Sequence, residues 1–230
     1  MSQVYDTDSV RDSVLRVDGS RSHPPLAPVR RLGQPGAHME IHAIMTVDTH
    51  KLLSGDDNGV VSKWDIETGQ QELRLLEHSL GVRALARLDS NTFASGSIDT
   101  SIRLWDMRAQ RDSAGVLEGQ CDGVRKMCVL DGSENLLVSA GDCTLKVWDL
   151  RMFKLVRDLD GCAPMALLDS KHIVSSYPDL PQSVRVWPAS SFVKACDIEA
   201  HMGSIQGLDS NGTCLYSIAA DNLLKIWHKT

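Results

Sequence analysis

Five tryptophans, Trp64, Trp105, Trp148, Trp187 and Trp227, stand at intervals of 41, 43, 39 and 40 residues, and the chain has no others. Self-similarity at a period near forty means one supersecondary unit copied several times, each copy burying its apolar faces against the next. The period constrains the fold before any other feature does. It also governs how apparent active-site residues are read, because a constellation that recurs with the repeat belongs to the unit.

The second copy shows the grammar of that unit. Phe93-Ala94-Ser95-Gly96-Ser97-Ile98-Asp99 runs from apolar residues into a turn-forming cluster, and Ile102-Arg103-Leu104-Trp105-Asp106 then alternates apolar with polar. That pattern is strand, tight turn, strand, with one face buried and the other wet. In the first copy, Thr68-Gly69 supplies a further turn before a third strand at Leu73-Arg74-Leu75-Leu76, and a fourth follows His78 at Val82-Arg83-Ala84-Leu85. Four short antiparallel strands per copy describe a propeller blade, and no stretch has the pattern of a long amphipathic helix.

Trp64-Asp65, Trp105-Asp106 and Trp148-Asp149 carry the pair for which the WD-repeat family is named, and the chain resembles that family over roughly residues 27–230. Trp187-Pro188 and Trp227-His228 keep the tryptophan and lose the aspartate. The resemblance implies an all-β fold: a β-propeller of about five four-stranded blades. Seven blades, the usual number in the family, would need roughly 290 residues at this period, more than the 230 present. Residues 1–26 are polar and aperiodic and are expected to form a flexible tail ahead of a propeller spanning 27–230. Pro28-Val29-Arg30-Arg31-Leu32 is expected to complete the last blade and close the ring, since the last copy stops three residues after Trp227. The rival expectation is a piece of a longer propeller; Ser13-Val14-Leu15-Arg16-Val17-Asp18, which resembles a decayed tryptophan strand, keeps it open.

Composition restricts the function classes. The net charge is −6 and no basic stripe interleaves with aromatics, which disfavours nucleic acid as a partner. No apolar run reaches the ~18 residues of a membrane span, and Met1–Asp6 lacks the basic-then-apolar order of a secretory signal. A cytoplasmic or nuclear location is expected. The six cysteines, Cys121, Cys128, Cys143, Cys162, Cys196 and Cys214, have no Cys-x-x-Cys spacing and no histidines at ligand spacing. They are expected to be reduced, mostly buried thiols, with no metal site and no cofactor.

His78, Ser95, Asp99 and Trp105 recur as His201, Ser217, Asp221 and Trp227, and in part as His38, Ser54 and Trp64, where Asn58 replaces the aspartate. A Ser/His/Asp set is the makeup of a nucleophilic hydrolase. Repetition with a tryptophan attached opposes that reading. The family resemblance implies instead a network inside each blade, the imidazole bridging aspartate and serine while the indole donates to the serine. Satisfying these buried groups avoids a penalty of about 1–3 kcal/mol each. The third copy has Gly119 and Gln120 where histidine belongs. The fourth has Asp160-Gly161 there and a longer turn, Tyr177–Gln182, with two prolines that either drifted or serve a partner.

Two further patterns concern partners. Trp105-Asp106-Met107-Arg108 and Trp148-Asp149-Leu150-Arg151 each place an arginine two residues past the aspartate. Tandem motifs of this kind resemble the signature of WD-repeat substrate receptors of cullin-based ubiquitin ligases, which implies Arg108 and Arg151 as contacts for a ligase adaptor; the guanidinium fork suits a carboxylate partner. At the starts of the inner strands, where the resemblance implies partner binding, the residues are His42, Arg83, Arg125 and Lys126. An acidic or phosphorylated peptide would suit that basic spot. The sequence thus supports a non-enzymatic protein–protein interaction scaffold, with a cullin-ligase substrate receptor as the more specific alternative and a hydrolase disfavoured.

Overall fold

A computed structural model describes residues 3–6, 40–109, 112–130 and 135–228. The first blade consists of β2 (Ile41–Thr46), β3 (Lys51–Asp56), β4 (Val61–Asp65) and β5 (Gln71–Leu75), after β1 (Gln3–Asp6), which belongs elsewhere. The second is β6 (Val82–Arg87), β7 (Thr92–Ser97), β8 (Ile102–Asp106) and β9 (Gly115–Leu117). The third is β10 (Lys126–Val129), β11 (Leu136–Ala140), β12 (Leu145–Asp149) and β13 (Lys154–Leu159). The fourth is β14 (Cys162–Leu168), β15 (His172–Ser176), β16 (Ser183–Pro188) and β17 (Cys196–Glu199). The last is β18 (Ile205–Ser210), β19 (Cys214–Ala219) and β20 (Leu223–His228), with β1 as its outer strand. All five sheets are antiparallel, as hairpin-linked neighbours must be, and no helix occurs among the described residues.

The tryptophan register is the same in every blade. Each sits on the third strand opposite an apolar residue of the second: Leu52, Phe93, Leu137, Ile173 and Leu215 face Trp64, Trp105, Trp148, Trp187 and Trp227. Four apolar clusters form the core, and each straddles a junction between consecutive blades. Trp105 packs with Val61 and Leu75 of the blade before it, and Trp148 with Ile102 and Leu117. Trp187 packs with Leu145 and Leu159, and the half-buried Trp227 with Val174 and Val184. Every cluster joins a blade to its predecessor through the indole, the largest apolar area a side chain can bury.

The glycine after the blade serine lets those junctions approach. A Cβ on Gly55 would stand 2.6 Å from Val82 Cγ1, and one on Gly96 only 2.4 Å from Val124 Cγ1, both on the next blade. The third and fourth blades place Ala140 and Ser176 at this position.

One expectation about the ends is corrected. The strand that completes the last blade is Gln3–Asp6, paired antiparallel with β20 from Gln3↔Ile226 to Asp6↔Leu223. Four residues of the stretch read as a tail are therefore a strand; a run of four is too short to show a period. Pro28–Leu32 lies outside the described residues. Ring closure by that segment is therefore not tested; among the described residues, no apolar cluster joins the last blade to the first.

The contact at Gly96 gives a direct check on the junctions. Gly96→Val is expected to destabilise the protein by about 1–3 kcal/mol through overpacking against Val124, read as a fall in the midpoint of thermal unfolding.

Candidate functional site

In the second blade, His78 Nδ1 lies 2.9 Å from Asp99 Oδ2 and Nε2 lies 2.7 Å from Ser95 Oγ, while Trp105 Nε1 donates to the same Oγ at 2.7 Å. One proton arrangement satisfies every group. The indole N–H donates to the serine oxygen, the serine O–H donates to Nε2, and Nδ1–H donates to the carboxylate, with the imidazole neutral. Asp99 also accepts the Ser79 and Ser101 amides and the Ser101 hydroxyl, which fixes the turn. The fifth blade repeats the geometry: His201 to Asp221 at 2.9 Å, His201 to Ser217 at 2.7 Å, and Trp227 to Ser217 at 2.9 Å.

Both imidazole side chains are fully inaccessible, and each serine oxygen is already engaged by an indole. A hydrolase needs a nucleophile that a substrate carbonyl can reach, and these serines are buried. Burial pushes the His78 ring below its ordinary 6.5, with Asp99 opposing. Burial works to raise Asp99, but the hydrogen bonds from Ser101, Ser79 and His78 outweigh it and hold the carboxyl at about 2.

The other blades vary the theme. In the first, Trp64 Nε1 donates to Ser54 Oγ at 2.8 Å, His38 lies outside the described residues, and Asp56 rather than Asn58 anchors the turn by accepting the Asn58 and Val60 amides. In the third, Gln120 stands in for histidine: Ser139 donates to its Oε1 at 3.1 Å and its amide donates to Thr144 and Asp122. The carboxylate there comes from Asp122, upstream of the strand, which also accepts the Cys143 amide; a Cβ on Gly141 would collide with it at 2.0 Å. In the fourth, Gly161 occupies the histidine region, and a Cβ on it would meet Ser175 Oγ at 2.5 Å and Trp187 Cη2 at 2.7 Å. Indole and serine have moved into the space an imidazole would fill.

A second recurring position escaped the sequence reading. Two residues before the tryptophan, four blades carry a basic side chain that ties the third strand either to the outer strand or to the segment leading into the blade. Arg103 bonds Glu77, Lys146 Nζ bonds Asp158 at 2.7 Å, Arg185 Nε bonds Asp197 at 2.7 Å, and Lys225 Nζ bonds the Ala200 carbonyl at 2.6 Å. Arg185 also covers the Tyr177 ring at 3.9 Å, so the irregular fourth-blade turn starts from a buried anchor while Leu180 at its tip is exposed. The signal was present as Arg/Lys-x-Trp, but a basic residue on an alternating strand reads equally well as a solvated one.

The two motif arginines are both exposed. Arg108 is clasped by its own Asp106, Nε to Oδ1 at 2.9 Å and Nη2 to Oδ2 at 2.6 Å, and that guanidinium holds Asp106 at about 2. The Arg151 amide donates to Asp149 at 2.8 Å. A cavity of about 250 Å³ lies between the second and third blades, lined by Leu88, Trp105, Leu150 and Phe153 among others. Met152, Phe153 and Leu155, which follow Arg151, are exposed apolar residues.

The basic spot at the inner-strand starts is largely compensated. Asp57 lies 3.3 Å from Arg83 and 3.4 Å from His42, and Asp142 grips Arg125 with two bonds of 3.0 Å. Lys126 is exposed. His42 Nε2 and Arg83 Nε are buried without a hydrogen-bond partner. The thiols also depart from expectation. None of the six forms a disulfide, but only Cys162 is buried, where desolvation pushes its thiol up; Cys121, Cys143 and Cys196 are exposed in loops and at a strand start.

Comparison with known proteins agrees with this geometry. The WD domain, G-beta repeat family matches residues 69–106 and 111–149, the ends of which fall on the Trp-Asp pairs of the second and third blades. The chain carries WD repeats at these two positions. It is 26% identical over 211 residues to the nuclear distribution protein nudF of Aspergillus niger, covering 76% of this chain and 46% of that protein. It is 31% identical over 118 residues to the U3 small nucleolar RNA-associated protein 15 homolog of Xenopus tropicalis, covering 50% of this chain and 22% of the relative. It is 27% identical over 154 residues to the DDB1- and CUL4-associated factor 11 homolog of Caenorhabditis elegans, covering 63% and 27%. The chain spans less than half the length of each of these relatives.

The network predicts a pH dependence with a definite sign. Asp99 is depressed from 3.8 to about 2, so its contribution to stability is fully present above about pH 4 and is lost as pH falls toward 2. His78 is depressed below 6.5, so protonation favours the unfolded chain and stability declines as pH drops below that value. Asp99→Asn should remove the loss between about pH 4 and 2 and, because Asp99 opposes the downward shift of His78, extend the histidine-linked decline to lower pH than in wild type, read from the pH profile of the unfolding free energy.

Proposed function

We propose that this protein is a non-enzymatic scaffold that holds other proteins on a rigid array of blades. The observation that carries the reading is the fate of the Ser/His/Asp sets, which recur in separate blades and are closed off by an indole in each. The polar residues that would perform catalysis are committed to holding strands together, which leaves loops and strand ends for binding. No catalytic residue is assigned and no cofactor is required. A cytoplasmic or nuclear location goes with this reading, in keeping with a relative named for a nucleolar RNA assembly.

A more specific second reading is supported by two exposed arginines in consecutive blades and by a relative named as a DDB1- and CUL4-associated factor. On it, Arg108 and Arg151 contact the adaptor of a cullin-based ligase. The Asp106 clasp presets the Arg108 guanidinium, so little side-chain entropy is lost on docking. The face around Arg83, Arg125 and Lys126 is then the site for an acidic or phosphorylated peptide, which would compete with Asp57 and Asp142 for the two arginines. That exchange favours a phosphate over a carboxylate, because its greater charge must displace an existing ion pair.

Affinity purification from cell extract, followed by mass spectrometry, tests both readings. Wild type is expected to recover protein partners in stoichiometric amount, and recovering none would overturn the scaffold reading. If a cullin adaptor is among them, Arg108→Ala with Arg151→Ala should remove it while leaving the unfolding midpoint unchanged. An adaptor that stays bound, or that is absent from the wild-type sample, defeats the ligase reading alone.

Ser95→Ala separates structure from catalysis. It should cost about 1–3 kcal/mol by orphaning His78 Nε2 and the Trp105 N–H, with recovered partners unchanged. A variant that keeps its stability and loses a hydrolytic activity would mean that the serine is a nucleophile.

A further inference from the structure

The two motif arginines belong to the two blades that enclose one cavity. Its walls are Leu88, Leu104, Trp105, Val129, Leu150 and Phe153, and Asp89, Ala114 and Asn135 are exposed lining residues. Arg151 follows Leu150 in the chain. Arg108 stands three residues past Trp105, close enough to Asp89 for the two charges to act on each other. At about 250 Å³ the cavity is larger than the ~150 Å³ apolar space that takes up benzene, and smaller than the ~300–1,000 Å³ of a site for a drug-sized molecule. It suits one large apolar side chain, not a cofactor.

Phe153 shapes the opening from a strained backbone. Its φ is 51°, in the left-handed region that a bulky residue rarely enters. Five residues after Trp64 the same place is held by Gly69 at 75°, the residue for which that conformation carries no steric penalty. The fourth blade also has a phenylalanine there, Phe192 at 53°, but its ring packs on the apolar cluster shared with the third blade. Phe153 instead lies across β9, where a Cβ on Gly115 would stand 2.1 Å from its Cε1, and the residue is 45% exposed. Strain of this kind persists where the surroundings over-determine a residue, and it gathers at ligand-binding positions.

We propose that this cavity receives one apolar side chain of a partner protein, presented beside carboxylates that Arg108 and Arg151 bind. The inference rests on the reading of these arginines as partner contacts and names what lies between them. Charge around the opening favours an acidic partner over a basic one. Arg108 and Arg151 are exposed, as is Lys154 next to Phe153. The carboxylates nearby are engaged by donors of their own turns. Asp89 accepts the Asn91 and Thr92 amides at 2.6 and 2.8 Å and the Thr92 hydroxyl at 2.7 Å. Asp106 holds Arg108, and Asp149 accepts the Arg151 and Met152 amides at 2.8 and 3.1 Å. The groups that extend into solvent are therefore cationic, and a carboxylate can share their donors. Met152 and Leu155, 60% and 42% exposed, continue the apolar area beyond the opening. The undescribed residues nearest in sequence, 110–111 and 131–134, are Gln, Arg, Asp, Gly, Ser and Glu, none of which offers an apolar side chain to fill it. An apolar anchor in a pocket with charged groups at its rim is where interface energy concentrates.

The test is fluorescence anisotropy of a fluorescein-labelled peptide, Asp-Asp-Leu-Asp-Asp, titrated with the full chain. It should bind about tenfold more tightly than the same peptide with alanine at its centre, and more tightly than Lys-Lys-Leu-Lys-Lys. Ala114→Phe, which puts a ring into the opening from an exposed position, should abolish the preference for leucine. Arg108→Glu should weaken the acidic peptide by about tenfold. Circular dichroism confirms folding, and if Ala114→Phe is unfolded, Phe153→Gly repeats the experiment, since glycine takes that φ without strain and removes the ring. A wild type that does not bind the peptide, or binds it with no preference for leucine, overturns the proposal, and so does a preference that Ala114→Phe leaves intact. Tighter binding of the lysine peptide overturns the acidic partner. Binding that appears only once residues 131–134 are replaced by glycines makes those residues the occupant and overturns the proposal as well. Adaptor recovery separates this failure from that of the ligase reading: an adaptor that the double arginine variant releases and Ala114→Phe retains keeps the arginine contacts and removes the cavity.

Discussion

The structure depends on the tryptophans of the second to fifth blades, each packing onto the blade before it. The indole does two things at once. Its ring spans the gap to the preceding blade, where it buries apolar area in a shared cluster, and in the second, third and fifth blades its N–H is pinned inward on a serine of the adjacent strand. The first act joins blades, and the second fixes the ring's direction, so packing and hydrogen bonding select the same rotamer. Such a wedge is consistent with repeat stability as a sum of units and nearest-neighbour junctions. It also explains why each core lies between blades and not within one.

The polar network behind the indole varies more than the wedge. Histidine gives way to glutamine in the third blade and to glycine in the fourth, yet the tryptophans there are among the most buried residues of the chain. Gln120 can replace His78's role because an amide also offers one acceptor toward the serine and donors toward the turn. Gly161 solves the problem differently, by deleting the partner and letting ring and serine close the space. What every junction requires is apolar area and a small residue opposite the next blade's first strand. The means of pinning the indole is negotiable, provided no buried donor is orphaned.

Much of this was legible in the sequence for a physical reason: the wedge needs the largest apolar side chain at a fixed place in each unit, and tryptophan is rare enough for its spacing to stand out. The strand grammar and the tetrads of the second and fifth blades followed from it. Three things were not legible. The Asp122 substitution lies outside the aligned turn, so only space could reveal it. The basic residues at Arg103, Lys146, Arg185 and Lys225 look like solvated positions until their carboxylate or carbonyl partners are seen. The outer strand of the last blade is four residues long, below the length at which alternation becomes a signal, so the proline-flanked segment at 28–32 looked the better candidate.

The same logic bears on what the surfaces can do. Charges that looked available at the inner-strand starts are spent on Asp57 and Asp142, so affinity for a simple carboxylate there would be reduced by the pairs it must break. Arg108 is clasped by Asp106 at the end of its own β8, which leaves the guanidinium 71% exposed. A paired but exposed arginine keeps its orientation and can still share its fork with an incoming acceptor, whereas a long unpaired side chain must be ordered on binding. On the proposed ligase reading, this preorganisation lowers the entropy cost of a contact at Arg108.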